Sequence, residues 1–293
     1  MKRVIALVIM LAICAMLIGC PGSDAVIVVA SKDYAEQYIL GSMLALLIEA
    51  NTNMMVTYKT DLGTEIIFSG IRTGVVDLYV EYTGTVYGSL LRLSDMKCPV
   101  EVHEISVREL MERHNILMLD PLGFNNTYAL AVSAEVAEEF GLRTISDLAN
   151  VSSDFIFGGS AAILTRFDGI PNLKRVYDMS FKDEVLVYGV ERYVAVANDE
   201  IQVAEVYSTD GLLLEFDLVV LEDDRGYFPP YEGAVIIRAE TAEEYPELLD
   251  VLHKLMGLLS DDIMRNLNYR VEVLEESPRD VAEAFLLEHG LIS

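Results

Sequence analysis

The chain has no tryptophan, three cysteines and four histidines among its 293 residues, and each shortage closes a class of function. Cys14 falls inside an apolar leader and Cys20 at its end, so Cys98 stands alone in the body and no internal disulfide can form there. His103, His114, His253 and His289 lie far apart, with no Cys or His at ligand spacing, so no metal site is expected. No Ser or Cys occupies an elbow motif and no His adjoins a partner motif, which leaves an extracytoplasmic enzyme only as a remote alternative. No cofactor is expected. Positive charge is scarce as well: 21 Lys and Arg oppose 47 Asp and Glu, a formal net charge of −26. Such a surface repels phosphate backbones and anionic lipid heads, so nucleic acid is not an expected partner.

What the sequence does have begins with a leader. Lys2 and Arg3 precede an apolar run over residues 4–18, and "LIGC" closes it at Cys20. That is the layout of a secretory signal over residues 1–19, and the run is short for a membrane span. The ending resembles a lipoprotein processing box. The resemblance implies cleavage before Cys20, a diacylglycerol on its sulfur and a tether over residues 20–25; an uncleaved anchor is the alternative. In both cases the body is expected outside the cytoplasmic membrane, anchored to its outer face. Removal of Lys2 and Arg3 leaves a net charge of −28, for which a saline habitat is one explanation.

The body alternates between short apolar runs and amphipathic stretches. "AVIVVAS" (25–31), "MMVTYK" (54–59) and "VDLYVEY" (76–82) read as strands, with helices over 34–51 and 63–74 between them. A helix over 106–115 leads to a strand at 116–119, and "DPLGFNN" (120–126) reads as a turn. A second alternating block follows: a strand at 127–133, a helix over 134–141, "TISDLAN" capped by Ser146, a strand at 154–159 and a helix through 163–178. Strands 184–189 and 203–208, with helices over 192–198 and 209–216, complete this block before a second break marked by "LVVLEDD" (218–224) and "GYFPPYEG" (226–233). A strand at 234–238 and helices over 241–259, 261–268 and 278–288 end the chain. Strands alternating with helices of this length predict parallel βαβ units. Two such blocks joined by two breaks predict an α/β, two-lobed fold, each lobe a mostly parallel sheet flanked by helices. Lobe 1 spans 26–127 and 231–293, and lobe 2 is inserted at 128–230. The two crossovers form a hinge, and ligands in such sheets sit outside the carboxyl ends of the strands.

Six stretches occur in order: "SKDYAEQYILG" (31–41), "DLYVEYTGT" (77–85), "GFNNTYALAV" (123–132), "FDGIPNLKRVYD" (167–178), "VYSTDG" (206–211) and "FDLVVLEDDRGYFPPYEGAVIIR" (216–238). Together they resemble the substrate-binding lipoproteins of osmoprotectant ABC importers, which take up glycine betaine, choline and carnitine. The resemblance covers residues 26–291 and implies a type II periplasmic-binding-protein fold. A quaternary ammonium has no N–H donor, and ring faces attract it at about 0.5–2 kcal/mol each. The resemblance places that aromatic box at Tyr82, Tyr128, Tyr207 and Tyr231, with the backbone carbonyl of Asn126 adding partial negative charge. It places a carboxylate subsite at Lys32, Thr85 and Arg166, where a guanidinium fork, a point charge and a hydroxyl suit an anion.

Plainer roles compete for some of these residues. Lys32 can pair with Asp33, Arg166 can bridge Asp168 or cap a helix, and Thr85 can cap residues 86–92. Tyr79, Tyr87, Tyr188 and Tyr193 read as ordinary packing aromatics. The acids of "LEDDRG" (221–226) read as a solvated turn, and "GGS" (158–160) as a strand-to-helix turn. The resemblance thus implies a monomeric, lipid-anchored receptor that closes on glycine betaine or proline betaine and delivers it to a permease and its ATPase. A choline- or carnitine-preferring receptor is the alternative.

Overall fold

The computed structural model describes residues 25–93, 98–166 and 169–293. The expected signal peptide, Cys20 and the expected tether lie outside the described residues, except for Ala25. Two five-stranded sheets organise the chain. The first has the order β2-β1-β3-β10-β4, made of β1 (Val26–Ala30), β2 (Met55–Lys59), β3 (Leu78–Tyr82), β4 (Ile116–Asn125) and β10 (Glu232–Arg238). The second has the order β7-β6-β8-β5-β9, made of β5 (Tyr128–Ser133), β6 (Ile156–Gly159), β7 (Asp183–Leu186), β8 (Val203–Tyr207) and β9 (Leu218–Leu221). The two orders are the same device used twice. In each sheet four strands share one direction, and the fourth position holds one antiparallel strand that arrives from the other half: β10 in the first, β5 in the second. The chain crosses between Asn125 and Tyr128 and returns between Leu221 and Glu232.

Helix Ala35–Asn51 is buried over most of its surface. It lies in the larger core of the first sheet, where Leu44, Leu47 and Ile48 meet Leu252, Met264 and Phe285 from the C-terminal helices. This explains its weak amphipathicity: a helix covered on several sides does not need a polar face. The core of the second sheet gathers Leu130, Phe157, Leu173 and Val203.

The structure redraws several elements. Residues 120–125 are not a turn but the second half of the ten-residue strand β4, whose register against β10 shifts on either side of Ala234, so that Pro121 fits the pairing. Gly123 has φ +115°, and a Cβ there would come within 2.6 Å of the Leu259 carbonyl oxygen, so the turn signal marks a close approach instead. The helix expected through 163–178 is two, Ala161–Thr165 and Ile170–Tyr177, because the Gly169 backbone packs directly on Ile163. Thr144, not Ser146, caps the helix Ile145–Ala149: its Oγ1 accepts from Asp147 N at 3.0 Å, and Asp147 Oδ2 accepts from Thr144 N at 2.9 Å. The helix before β4 starts earlier than its periodicity shows, at Pro99, where a missing N–H does no harm.

Candidate functional site

Both sheets place a tyrosine at the carboxyl end of their third strand, next to the crossovers. In the first sheet it is Tyr82, the last residue of β3, a strand buried along its whole length. The Tyr82 hydroxyl donates to Glu36 Oε1 at 2.7 Å and accepts from Gln37 Nε2 at 3.1 Å. Its ring meets Phe124 edge-on at 6.4 Å. Burial first, and the Glu36 charge second, hold its phenol proton well above the usual range. The ammonium of Lys32 lies over the Tyr82 ring, 5.1 Å from the centroid, and forms a buried ion pair with Glu81. Lys32 therefore finds its partner on β3 and not in Asp33, which is exposed. An ammonium at that depth requires an anion at the same depth.

In the second sheet the corresponding residue is Tyr207, the last of β8. Its register partner across the antiparallel pair is Tyr128, the first residue of β5. The two half-buried rings stand 5.1 Å apart at 34°, and Phe228 lies 6.4 Å from Tyr128. Burial, then the adjacent Tyr128 phenol, raise the pKa of Tyr207.

Tyr231 follows the return crossing. Its N–H donates to Asn125 Oδ1 at 2.6 Å, and its carbonyl accepts from Asn126 N at 3.1 Å. Its ring rests on Gly84: a Cβ there would come within 2.8 Å of a ring carbon and 2.6 Å of the Pro230 oxygen. The glycine of "EYTGT" is thus small because the tyrosine of "FPPY" covers it. Thr83 joins the same two segments, donating to Pro230 O at 3.2 Å and accepting from Glu232 N at 3.0 Å.

The remaining expected residues divide. Asn126 sits on the first crossing and donates Nδ2 to Glu36 Oε1 at 2.9 Å; its Oδ1 is buried without a hydrogen-bond partner among the described residues. Thr85 is half-buried and opens the π-helical turn Thr85–Leu90, without a side-chain capping bond. Arg166 stands on the second sheet's side, exposed, at the end of the helix Ala161–Thr165 with extended backbone (φ −69°, ψ 151°).

Glu36 is the residue that sequence reasoning missed. It is 2 % exposed and accepts four hydrogen bonds: from Tyr82 and Asn126 on Oε1, and on Oε2 from Thr209 at 2.7 Å and Asn268 at 3.0 Å. Burial raises its pKa, opposed by these four donors. Its signal was present in "SKDYAEQY", an acid in the first turn of a helix that is otherwise largely apolar. Tyr34 was missed as well: its phenol interacts with that of Tyr82, and burial of that end raises its pKa, although 38 % of the residue is exposed. Tyr79, Tyr87 and Tyr193 are buried packing residues, as expected, whereas Tyr188 is exposed.

The loop after Tyr207 docks against the first half. Arg265 donates to the Ser208 carbonyl from Nε at 3.2 Å and from Nη2 at 2.8 Å, and Asn268 donates to the Thr209 carbonyl at 2.8 Å. Gly211 packs so closely on the helix Asp261–Glu272 that a Cβ would come within 2.5 Å of Tyr269 N. A separate open hollow of about 630 Å³, lined among others by Gly123, Asn125, Leu221, Glu232, Asp261 and Arg265, contains none of the four tyrosines. Among the described residues no group of three metal-ligating side chains exists.

Residues 25–288 match the family model OpuAC, the substrate binding domain of ABC-type glycine betaine transport systems. The chain belongs to this family. Relatives agree in different ways. The ergothioneine transport permease/ergothioneine binding protein EgtU of Helicobacter pylori is 39% identical over 266 residues, 90% of this chain; the chain spans 48% of that protein's length. The glycine-betaine-binding protein of Pseudomonas aeruginosa is 32% identical over 283 residues, covering 90% of this chain and 88% of that one. Among solved structures, a glycine betaine/carnitine/choline ABC transporter protein superposes with a TM-score of 0.87 at 31% identity, covering 91% of this chain and 100% of the other. The two mixed sheets flanked by helices are the type II binding-protein architecture. OpuAC-family members are extracytoplasmic transport binding proteins, so the enzymatic alternative falls.

Proposed function

We propose that this OpuAC-family chain is the receptor of an ABC importer that captures a betaine between its two halves and hands it to a permease and its ATPase. The quaternary ammonium group would sit among Tyr82, Tyr128, Tyr207 and Tyr231, near the Asn126 carbonyl. The carboxylate would go to Arg166 and Thr85, with Lys32 joining if it exchanges Glu81 for the ligand. Glycine betaine or proline betaine is the favoured cargo, and choline, lacking the carboxylate, is disfavoured by Arg166. The observation that carries this reading is the pairing of Tyr128 with Tyr207, two half-buried rings 5.1 Å apart at the junction of the crossing strands. Paired phenol rings suit a methylated cation that offers no hydrogen bond. Lipidation at Cys20 would hold a monomeric receptor at the outer face of the cytoplasmic membrane.

A second reading keeps the betaine head and changes the body. The 39% identity to an ergothioneine-binding protein and the unpartnered Asn126 Oδ1, an acceptor suited to a ring N–H, favour a larger betaine with a hydrogen-bonding ring. Titration calorimetry with glycine betaine, proline betaine, choline, carnitine and ergothioneine decides between them. Tightest binding of a small betaine supports the first reading, tightest binding of ergothioneine the second, and heat from none of the five removes both.

A further inference from the structure

The motif "SKDYAEQYILG" contributes Lys32 to the expected ligand contacts, but its more deeply bonded member is Glu36. The carboxylate is bonded from both halves of the molecule, Thr209 being its contact in the second. Oε1 accepts from Tyr82, on the third strand of the first sheet, and from Asn126, on the crossing; Oε2 accepts from Thr209, two residues beyond Tyr207, and from Asn268. Both asparagines present their Nδ2 to Glu36 and leave their own Oδ1 buried without a partner among the described residues. A buried acceptor left unmade is unfavourable, so amides oriented in this way are set by what the Nδ2 groups hold. Nδ2 can only donate, so the two amides favour the carboxylate over the acid and oppose the burial that raises its pKa.

Charge adds a second argument. Lys32 and Glu81 cancel as a buried pair beside Tyr82. Glu36 then leaves the immediate surroundings of that ring one negative charge in excess, at a depth where Coulomb attraction is weakly screened. A phenol that donates to an anion also keeps its ring face electron-rich toward a cation.

We propose that Glu36 is the positioning residue of the ammonium site: it fixes the Tyr82 ring, makes its surroundings cation-selective, and takes its own position from the second half through Thr209. The proposal rests on the betaine-receptor reading, and its test separates the two. Thr209→Ala removes the hydroxyl that reaches Glu36 together with a buried methyl, and Thr209→Ser removes that methyl but keeps the hydroxyl, so the pair isolates the hydrogen bond. Glu36→Gln removes the charge, and Tyr82→Phe removes the phenol that Glu36 accepts. The first measurement needs no ligand. In protein labelled with fluorotyrosine, the Tyr82 resonance, identified by its loss in Tyr82→Phe, should move in Glu36→Gln and in Thr209→Ala and return in Thr209→Ser. A resonance indifferent to Thr209 overturns the proposal whether or not any betaine binds. The second uses glycine betaine and 3,3-dimethylbutanoate, its isostere with a neutral tert-butyl group in place of the trimethylammonium. Glu36→Gln should weaken glycine betaine by about tenfold or more and the isostere far less, and its loss should not add to that of Tyr82→Phe. Equal losses for both ligands, or additive losses, overturn it. Wild-type protein that binds neither ligand refutes the glycine betaine reading, and the resonance then decides the positioning role alone.

Discussion

The two halves of the molecule use one strand order and one strand-end tyrosine, yet they hold that tyrosine differently. In the first half Tyr82 is almost fully enclosed; its hydroxyl is tied to Glu36 and Gln37, and Lys32 and Glu81 are paired beside it. In the second half Tyr207 is half-buried against Tyr128, with a buried carboxylate of its own, Glu205, two residues earlier on β8. Glu205 pairs with Arg192 and also accepts from the backbone N–H and hydroxyl of Ser160. The first wall is a fixed template; the second is a pair of rings with room to adjust. Fixed polar networks specify one geometry because each unsatisfied member is unfavourable, whereas tilted rings lose little on reorienting.

Removing each half's buried carboxylate tests that contrast most severely. Glu81→Ala leaves Lys32 buried without its partner and should lower unfolding free energy by about 3–5 kcal/mol in urea titration. Glu205→Ala should lower it less, because Arg192 keeps its bond to the Gly189 carbonyl. Equal losses would show that the two walls are equally rigid. The tyrosines come next. Both Tyr82→Ala and Tyr207→Ala should weaken betaine binding at least tenfold in calorimetry, about 1.4 kcal/mol. Only Tyr82→Ala should also lower the melting temperature markedly, since its ring belongs to the first core. A smaller effect is expected of Arg166→Ala, which should weaken glycine betaine several-fold more than choline; matched losses would place the carboxylate elsewhere. The smallest concerns the docked loop. Burial, then Asp210, push the Glu272 carboxyl up to about 7, and its Oε2 accepts from Gly211 N at 3.2 Å. A carboxyl whose folded pKa is raised contributes stability that is present at low pH and lost as pH rises from about 4.5 to about 7. Glu272→Gln should therefore flatten the melting-temperature profile in that window, modestly, since over a third of this residue is exposed to solvent.

The two-block alternation was legible in the sequence because each strand is a short apolar run and each helix a periodic one. The strand-end placement of Tyr82 and Tyr207 follows from it, whereas the strand order does not, because the antiparallel β10 and β5 each reach their sheet from the other half. Residues 120–125 were misread because Pro121 and Gly123 usually punctuate a chain, and here they fit a strand with shifted register against β10. The break between Thr165 and Ile170 was passed over in favour of helical periodicity, although Pro171 opens the second helix, and the close packing of Gly169 on Ile163 accompanies it. Long-range polar bonds left no trace in local pattern: Lys32 and Glu81 are 49 positions apart, and Glu36 and Asn268 are 232 apart.

The ammonium of Lys32 over the Tyr82 ring has a further consequence. If the proposed betaine reading holds, the ligand's nitrogen meets a ring face that already carries a lysine tip, and binding there would exchange one cation for another. Affinity would then measure how much better methyl-clad nitrogen fits the phenol than Lys32 does. Ordinary protonated amines, chemically close to that lysine, would gain least from the trade.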